Sequence, residues 1–103
     1  MDKLPYDIKI VDEQEKVSFR FSGQLIINYI EKIVEEVRES INLEKDLEIV
    51  IDNPEAIDIT FMQLILALKF TYSNQNQEMT ISSSLSEELK TLIKNSGFYN
   101  VLN

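Results

Sequence analysis

The six residues Leu47-Glu48-Ile49-Val50-Ile51-Asp52 decide the fold of this chain. The segment is short, rich in β-branched side chains and largely apolar, which is typical of a strand in the interior of a sheet. Asn53-Pro54 ends the strand, because proline donates no backbone hydrogen bond and restricts the residue before it. The next apolar pattern, over residues 60–72, has the period of a helix, so the sequence predicts an α/β fold around this inner strand.

The segments before the inner strand predict a hairpin and a helix. Apolar and polar residues alternate over residues 6–10 and 17–22, the pattern of half-buried strands, and the polar residues 12–15 connect them. From residue 28 the apolar spacing changes to that of a helix, with Ile33, Val37 and Ile41 on one face and acidic residues on the other. Asn28, with Glu31 three residues later, predicts a cap at the start of this first helix.

The remaining sequence completes one α/β domain. Residues 78–82 predict a short strand, and residues 84–95 predict a third helix that Gly97 ends. The predicted order is β-β-α-β-α-β-α in a single domain, residues 1–103. Strands separated by single helices run parallel, so the sheet is mixed, and the polar alternation in the hairpin places the helices mainly on one face.

Composition excludes several classes of function. The chain has 103 residues with 10 Lys and Arg against 18 Asp and Glu, and its net charge of −8 disfavours binding to nucleic acid or anionic membranes. Without Cys or His, it has no thiolate or imidazole for catalysis. Residues 61–68, the longest nearly apolar stretch, are too few to span a bilayer, and residues 1–10 lack the pattern of a signal peptide. We therefore predict a cytoplasmic protein with no membrane insertion.

The second predicted helix carries more apolar surface than one core-facing stripe needs. Its inward face is formed by Phe61, Leu64, Ile65, Leu68 and Tyr72. Met62, Leu66 and Phe70 form a second row about a third of a turn away. Either the neighbouring helices cover this second row, or it is partly exposed as a docking surface for another protein. An uncovered row would also favour a weak homodimer.

Three acidic residues, Asp52, Glu55 and Asp58, follow the inner strand at the sheet edge where α/β proteins usually bind ligands. A magnesium site or a carboxylate pair for acid–base catalysis can be drawn there. However, no glycine-rich phosphate loop accompanies them, and 18 acidic residues in 103 will cluster by chance. We therefore predict a protein that is not an enzyme and holds no metal or cofactor, and we interpret Asp58 as a turn residue beside a helix cap at Thr60.

Three segments, together with the element order, carry a resemblance to a known family. They are Phe21-Ser22-Gly23 at the end of the second strand, the turn Asp58-Ile59-Thr60-Phe61-Met62-Gln63-Leu64, and the ending Leu92-Ile93-Lys94-Asn95-Ser96-Gly97-Phe98. Over nearly the whole chain these features resemble a STAS domain, the fold of bacterial anti-sigma factor antagonists. In that family the turn typically reads Asp-Ser-Ser-Gly-Leu, and its first serine is phosphorylated by a partner kinase.

The resemblance implies a regulatory protein whose partner is another protein. In the family, the unphosphorylated antagonist binds a serine kinase that doubles as the anti-sigma factor, and phosphorylation dissociates the pair. This sequence is most similar to a form found beside chemotaxis genes, whose turn resembles Asp-Leu-Ser-Phe-Leu-Gln-Leu. A histidine kinase pathway component is a further partner that the resemblance implies. A subunit that sits on a transporter ATPase is an alternative.

The turn departs from the family pattern at the site of phosphorylation. Ile59 stands where the usual phosphoacceptor serine stands, Thr60 matches the second serine, and Phe61 replaces the glycine. Thr60 is therefore the phosphorylation candidate, and a phosphate there would weaken an apolar, acidic interface. The predicted partner-binding residues are Asp58, Ile59, Thr60, Phe61, Met62 and Leu66.

Three alternatives stay open beside this interpretation. Thr60 could serve only as a helix cap, or the chain could be a small-molecule or nucleotide-binding domain that uses the edge near Asp58. A degenerate response-regulator receiver fits less well, because a receiver needs a helix between its first two strands and only residues 12–15 separate these.

Overall fold

The computed structural model describes residues 4–96 and confirms the predicted order of elements. These are β1 (Tyr6–Asp12), β2 (Lys16–Leu25), α1 (Ile30–Ser40), β3 (Asp46–Asp52), β4 (Ala56–Ile57), α2 (Ile59–Asn74), β5 (Met79–Ser84) and α3 (Glu87–Ser96). The two-residue strand β4 is an addition to the prediction. The predicted stop at Gly97 and the resemblance at Phe98 lie outside the described residues.

The strands form one mixed sheet in the order β1-β2-β3-β5. β1 is antiparallel to β2, whereas β3 is parallel to both β2 and β5. The short β4 continues the sheet beyond the end of β3, where Gln24 and Leu25 of β2 pair with Ala56 and Ile57. This return of the chain to β2 places the residue after β4, which begins the turn into α2, beside the end of β2.

The helices cover one face of the sheet, as predicted. Phe19 and Phe21 of β2 and Ile49 and Ile51 of β3 are completely buried on the helix side. The residues between them in sequence point to the other face, where Arg20 is exposed and forms an ion pair with Asp52 at 3.0 Å. Within residues 4–96, no helix is long and apolar enough to cross a membrane.

Gly23 fixes the path of the chain at the end of β2. Its φ of +84° is in the left-handed region that favours glycine, and a Cβ atom there would lie 2.5 Å from the Pro5 carbonyl oxygen. The Gly23 carbonyl oxygen accepts a hydrogen bond of 2.8 Å from the Glu55 amide. Gly23 therefore lets β1 approach β2 closely and ties the segment before β4 to the end of β2.

The predicted cap of α1 at Asn28 is wrong. The helix begins at Ile30, and its N-cap residue is Tyr29, whose side chain makes no capping hydrogen bond. The preceding residues instead form a turn, in which the Tyr29 amide donates to the Ile26 carbonyl oxygen at 2.9 Å. The Ile27 amide donates to the Asp58 side chain, so a residue distant in sequence fixes the start of α1.

Candidate functional site

The Asp58 carboxylate organises the start of α2. One oxygen, Oδ1, accepts hydrogen bonds from the Thr60 amide at 2.9 Å, the Phe61 amide at 3.4 Å and the Thr60 hydroxyl. The other oxygen, Oδ2, accepts from the Ile27 amide at 2.8 Å. Asp58 is therefore the N-cap of α2 itself, and the interpretation of Thr60 as the cap is wrong.

These hydrogen bonds keep Asp58 ionised. Burial by itself raises the pKa of the Asp58 carboxyl group, but the bonds from the Thr60 hydroxyl and from the backbone amides of Ile27, Phe61 and Thr60 outweigh burial. The net result is a pKa below the ordinary value of 3.8. At neutral pH the carboxylate is a fixed negative charge at the positive end of the α2 dipole.

Thr60, the phosphorylation candidate, is half-buried on the side of α2 that faces α1. It lines a groove of about 460 Å³ between the two helices, together with Ile30, Val34 and Leu64. Its hydroxyl group donates to Asp58 Oδ1. The hydroxyl is thus part of the cap of α2, which links any modification of Thr60 to the Asp58 hydrogen bonds.

Two of the predicted partner-binding side chains, Phe61 and Met62, lie in the core. Phe61 is completely buried and packs edge-to-face against Phe21, with ring centroids 5.1 Å apart. Met62 is 2% exposed and lies in a pocket shared with Leu92 and Ile93 of α3. The prediction that these two side chains form a docking surface is corrected, because the sheet covers Phe61 and a neighbouring helix covers Met62.

Other apolar side chains on α2 are open to solvent. Ile59 is 52% exposed, Phe70 is 64% exposed and Leu66 is half-buried. Their spacing of seven and four residues places all three within about 40° on the helix surface. We call these three residues the α2 stripe. The second apolar row is therefore divided: a helix covers Met62, whereas Phe70 is uncovered among the described residues.

Two further exposed apolar residues belong to segments that contact the start of α2. Leu92 of α3 is 57% exposed and shares a pocket of about 210 Å³ with Ile59. Ile27 is 63% exposed, and its amide is bonded to the residue immediately before Ile59. Ile27 was not among the predicted site residues, because no pattern in residues 26–29 indicates a contact with Asp58, 31 positions away.

The acidic residues after β3 do not converge on one point. Asp52 forms its ion pair with Arg20, Glu55 accepts a hydrogen bond from Gln24 at 3.4 Å, and Asp58 caps α2. Within the described part of the chain, no three acidic side chains are grouped so that they could hold a metal ion. The geometry thus gives each carboxylate a separate structural contact.

The same architecture occurs in a solved structure, that of the anti-sigma factor antagonist SpoIIAA in its unphosphorylated form. The likeness has a TM-score of 0.68 and covers 91% of this chain and 84% of SpoIIAA. The chain has the STAS fold. The sequence identity is 16%, so the likeness is one of fold. No family model and no curated protein matches the sequence. The STAS fold that the resemblance implied is thereby confirmed.

Proposed function

We propose that this protein is a non-enzymatic regulatory module of the cytoplasm that binds a protein partner through the α2 stripe and the adjoining residue Ile27. The partner is a protein of the kinase or ATPase type: a serine kinase that acts as an anti-sigma factor, a histidine kinase pathway component, or a transporter ATPase. The STAS fold supports this proposal, because SpoIIAA, which has the same fold, is named as an antagonist of another protein.

One observation carries the proposal: Ile27 and Ile59 are exposed on either side of a carboxylate that holds both segments in place. Asp58 Oδ2 accepts from the Ile27 amide, and Oδ1 holds the first turn of α2, of which Ile59 is the first residue. A surface fixed in this way loses little conformational freedom when a partner binds. Phe70 adds an exposed aromatic ring, a side chain that often anchors interfaces.

The charge of the molecule indicates the chemistry of the partner. The net charge is −8, and the pocket that Ile27 lines at the start of α1 holds one acidic and one basic side chain, those of Glu31 and Lys32. Exposed Glu55 accepts a hydrogen bond from Gln24, immediately before the end of β2. A partner with an apolar centre and a basic rim would complement this surface and would be attracted at long range.

Phosphorylation of Thr60 would oppose this binding. The modification would remove the hydroxyl proton that Thr60 donates to Asp58 and would add about −1.5 to −2 charge beside an existing carboxylate. The helix dipole favours an anion at this end, but it already stabilises Asp58. We infer that the modified cap loosens its hold on Ile27 and that the added charge disfavours an apolar contact.

The test is capture of the partner by immobilised protein, followed by affinity measurements on the purified pair. Ile59→Asp changes the stripe, and Thr60→Glu imitates a phosphate. Ser82→Glu, on an exposed residue of β5 that points to the helix-free face and lies opposite Val50, is the matched control. We expect wild type and Ser82→Glu to retain an ATPase or kinase-type protein that the other two variants lose.

The outcomes separate the two parts of the proposal. Equal binding by Ile59→Asp would exclude the α2 stripe as the docking surface. Equal binding by Thr60→Glu, with loss in Ile59→Asp, would leave the surface in place and exclude the phosphate switch. The identity of the captured protein distinguishes the anti-sigma, chemotaxis and transporter pathways.

A further inference from the structure

The outer edge of β1 is an unpaired strand edge. β1 hydrogen-bonds to β2 on one side, and no strand among residues 4–96 pairs with its other side. Ile10 is 39% exposed on the helix side of the strand, and Val11 is 54% exposed on the opposite side. Such an edge presents backbone donors and acceptors that a strand from another chain can complete.

The hydrogen bonds with β2 show which backbone groups are free. The Glu13 amide donates to the Lys16 carbonyl oxygen at 2.9 Å, and the Gln24 amide donates to the Pro5 carbonyl oxygen at 2.8 Å. In an antiparallel pair, residues alternate between facing the neighbouring strand and facing away from it. The backbone groups of odd-numbered residues therefore face β2, and those of Tyr6, Ile8 and Ile10 face outward.

Two side chains of β1, one acidic and one basic, form no ion pair with the described residues. Asp7 and Lys9 are both exposed on the face of the sheet that the helices leave open, and neither makes an ion pair with a described residue. Lys9 lies directly opposite Arg20 in the β1–β2 register, an unfavourable pairing of like charges. Arg20 is compensated by Asp52, whereas Lys9 has no acidic partner within the described chain.

We propose that a second copy of this chain pairs antiparallel with the outer edge of β1 about a two-fold axis through Ile8. In this register Tyr6 of each chain lies opposite Ile10 of the other, and the outward backbone groups of Tyr6, Ile8 and Ile10 all form hydrogen bonds. Asp7 of each chain lies opposite Lys9 of the other. The exposed Val11 lies opposite Pro5 of the second copy.

Charge selects this register over its neighbours. In a two-fold antiparallel pair, the residue on the axis lies opposite the same residue of the other copy. A change of register therefore moves the axis from one residue to the next along the strand. An axis through Lys9 would place the two Lys9 side chains directly opposite each other, and an axis through Asp7 would do the same for the two Asp7 side chains. The axis through Ile8 instead produces two ion pairs of opposite sign, and the dimer follows the closed symmetry usual for homodimers.

The occupant is a second copy, because Asp7 and Lys9 complement each other only when the same strand is reversed. An unrelated extended peptide would complete the backbone bonds without needing this pair of charges. The net charge of −8 on each chain opposes association, so the dimer is weak and forms at high protein concentration. Short-range contacts of this kind still act at physiological ionic strength, where longer-range repulsion is screened.

The experiment is sedimentation equilibrium of the full chain over a concentration series, with charge reversal at both positions. Asp7→Lys or Lys9→Asp alone converts two attractive contacts into two repulsive ones, and each is expected to raise the dimer dissociation constant by about tenfold or more. Combining Asp7→Lys with Lys9→Asp restores the opposite charges and should return the dissociation constant to near the wild-type value.

A matched control separates local pairing from net charge. Glu39→Lys makes the same charge change as Asp7→Lys on an exposed residue near the end of α1, and it should leave the dimer as strong as wild type or stronger. Circular dichroism melts verify that each variant folds. A chain that stays monomeric up to about 1 mM would overturn the proposal. A double variant whose dimer is no stronger than those of the single variants would also overturn the proposal. In that case the dimer would form through another surface, or the β1 edge would bind an extended peptide instead.

Discussion

The two helices that begin at the same end of the sheet start in opposite ways. α1 follows Tyr29, whose side chain makes no capping hydrogen bond, whereas α2 follows Asp58, whose carboxylate bonds to both Thr60 and Phe61 amides. The same carboxylate also accepts from the Ile27 amide in the turn before α1. One side chain therefore supplies the cap of α2 and the anchor for the start of α1.

This difference separates two kinds of residue at one edge of the sheet. The buried residues that follow Asp58 hold α2 on the sheet, while the side chains of Ile27 and Ile59, which we propose contact the partner, stay exposed. Because a hydrogen-bonded carboxylate fixes both exposed residues, the surface is ordered without burying them. Substitutions at adjacent positions should consequently have very different effects on folding and on binding.

The largest effect on stability is expected at Phe61. Phe61→Ala removes a completely buried ring that packs against Phe21 and should lower the free energy of unfolding by about 3 to 5 kcal/mol. Ile59→Ala, two positions earlier on the exposed side, should change it by less than about 0.5 kcal/mol. Urea denaturation monitored by circular dichroism measures both. Equal losses of unfolding free energy in the two variants would show that Ile59 is buried in solution and would exclude the α2 stripe as an exposed surface.

An intermediate effect is expected at the cap itself. Asp58→Ala removes the acceptor for the first turn of α2 and for the Ile27 amide, and should cost about 2 kcal/mol. Asp58→Asn should cost about half as much, because the amide group keeps one accepting oxygen for α2 but cannot accept from both sides. The control is Asn28→Ala, at the cap that sequence alone predicted for α1, which should change stability by less than about 0.5 kcal/mol.

Hydrogen exchange locates the same effect within the molecule. The Ile27 amide should exchange faster in Asp58→Ala than in wild type, because its hydrogen bond is lost. If Asn28→Ala were as destabilising as Asp58→Ala, Asn28 would also cap a helix, and the difference between the two helix starts would be lost.

Sequence patterns predicted the layered fold because the strands and helices follow regular apolar periods. The buried positions of β2 alternate as expected, and Ile33 and Val37 form the buried side of α1. The inner strand β3 was predicted from its apolar composition, and its buried positions also alternate. Contacts between distant segments had no such signal. The turn before α1 depends on Asp58, 31 residues from Ile27, and two residues are too few to give β4 a pattern.

The candidate site was predicted less completely than the fold, for the same reason. The turn into α2 was identified, and Asp58, Ile59 and Thr60 lie together there. Whether an apolar residue of α2 faces a neighbouring helix or solvent depends on where α3 packs. The period of 3.6 residues places Met62 and Phe70 in one row, but α3 covers the first and leaves the second exposed.

The smallest expected effect isolates the hydroxyl group of Thr60. Thr60→Val removes the proton donated to Asp58 and should cost about 1 kcal/mol or less. Because that bond lowers the pKa of Asp58, its loss should raise the pKa, which an NMR titration of the Asp58 carboxyl carbon measures.

The same substitution should change how stability depends on pH. A carboxyl group whose pKa is lowered by folding stabilises the protein at pH values above its ordinary pKa of 3.8, and this stabilisation is lost as the pH falls through the folded-state pKa. The difference in unfolding free energy between wild type and Thr60→Val should therefore be largest near pH 7. It should shrink as the pH falls through the folded-state pKa values of Asp58 in the two proteins.

The control is Thr71→Val, which removes a hydroxyl bond to the Ala67 carbonyl oxygen farther along α2 and should leave the pKa of Asp58 unchanged. An Asp58 pKa that is identical in wild type and Thr60→Val would mean that the hydroxyl does not act on the cap, and a phosphate at Thr60 could then oppose binding only through its charge.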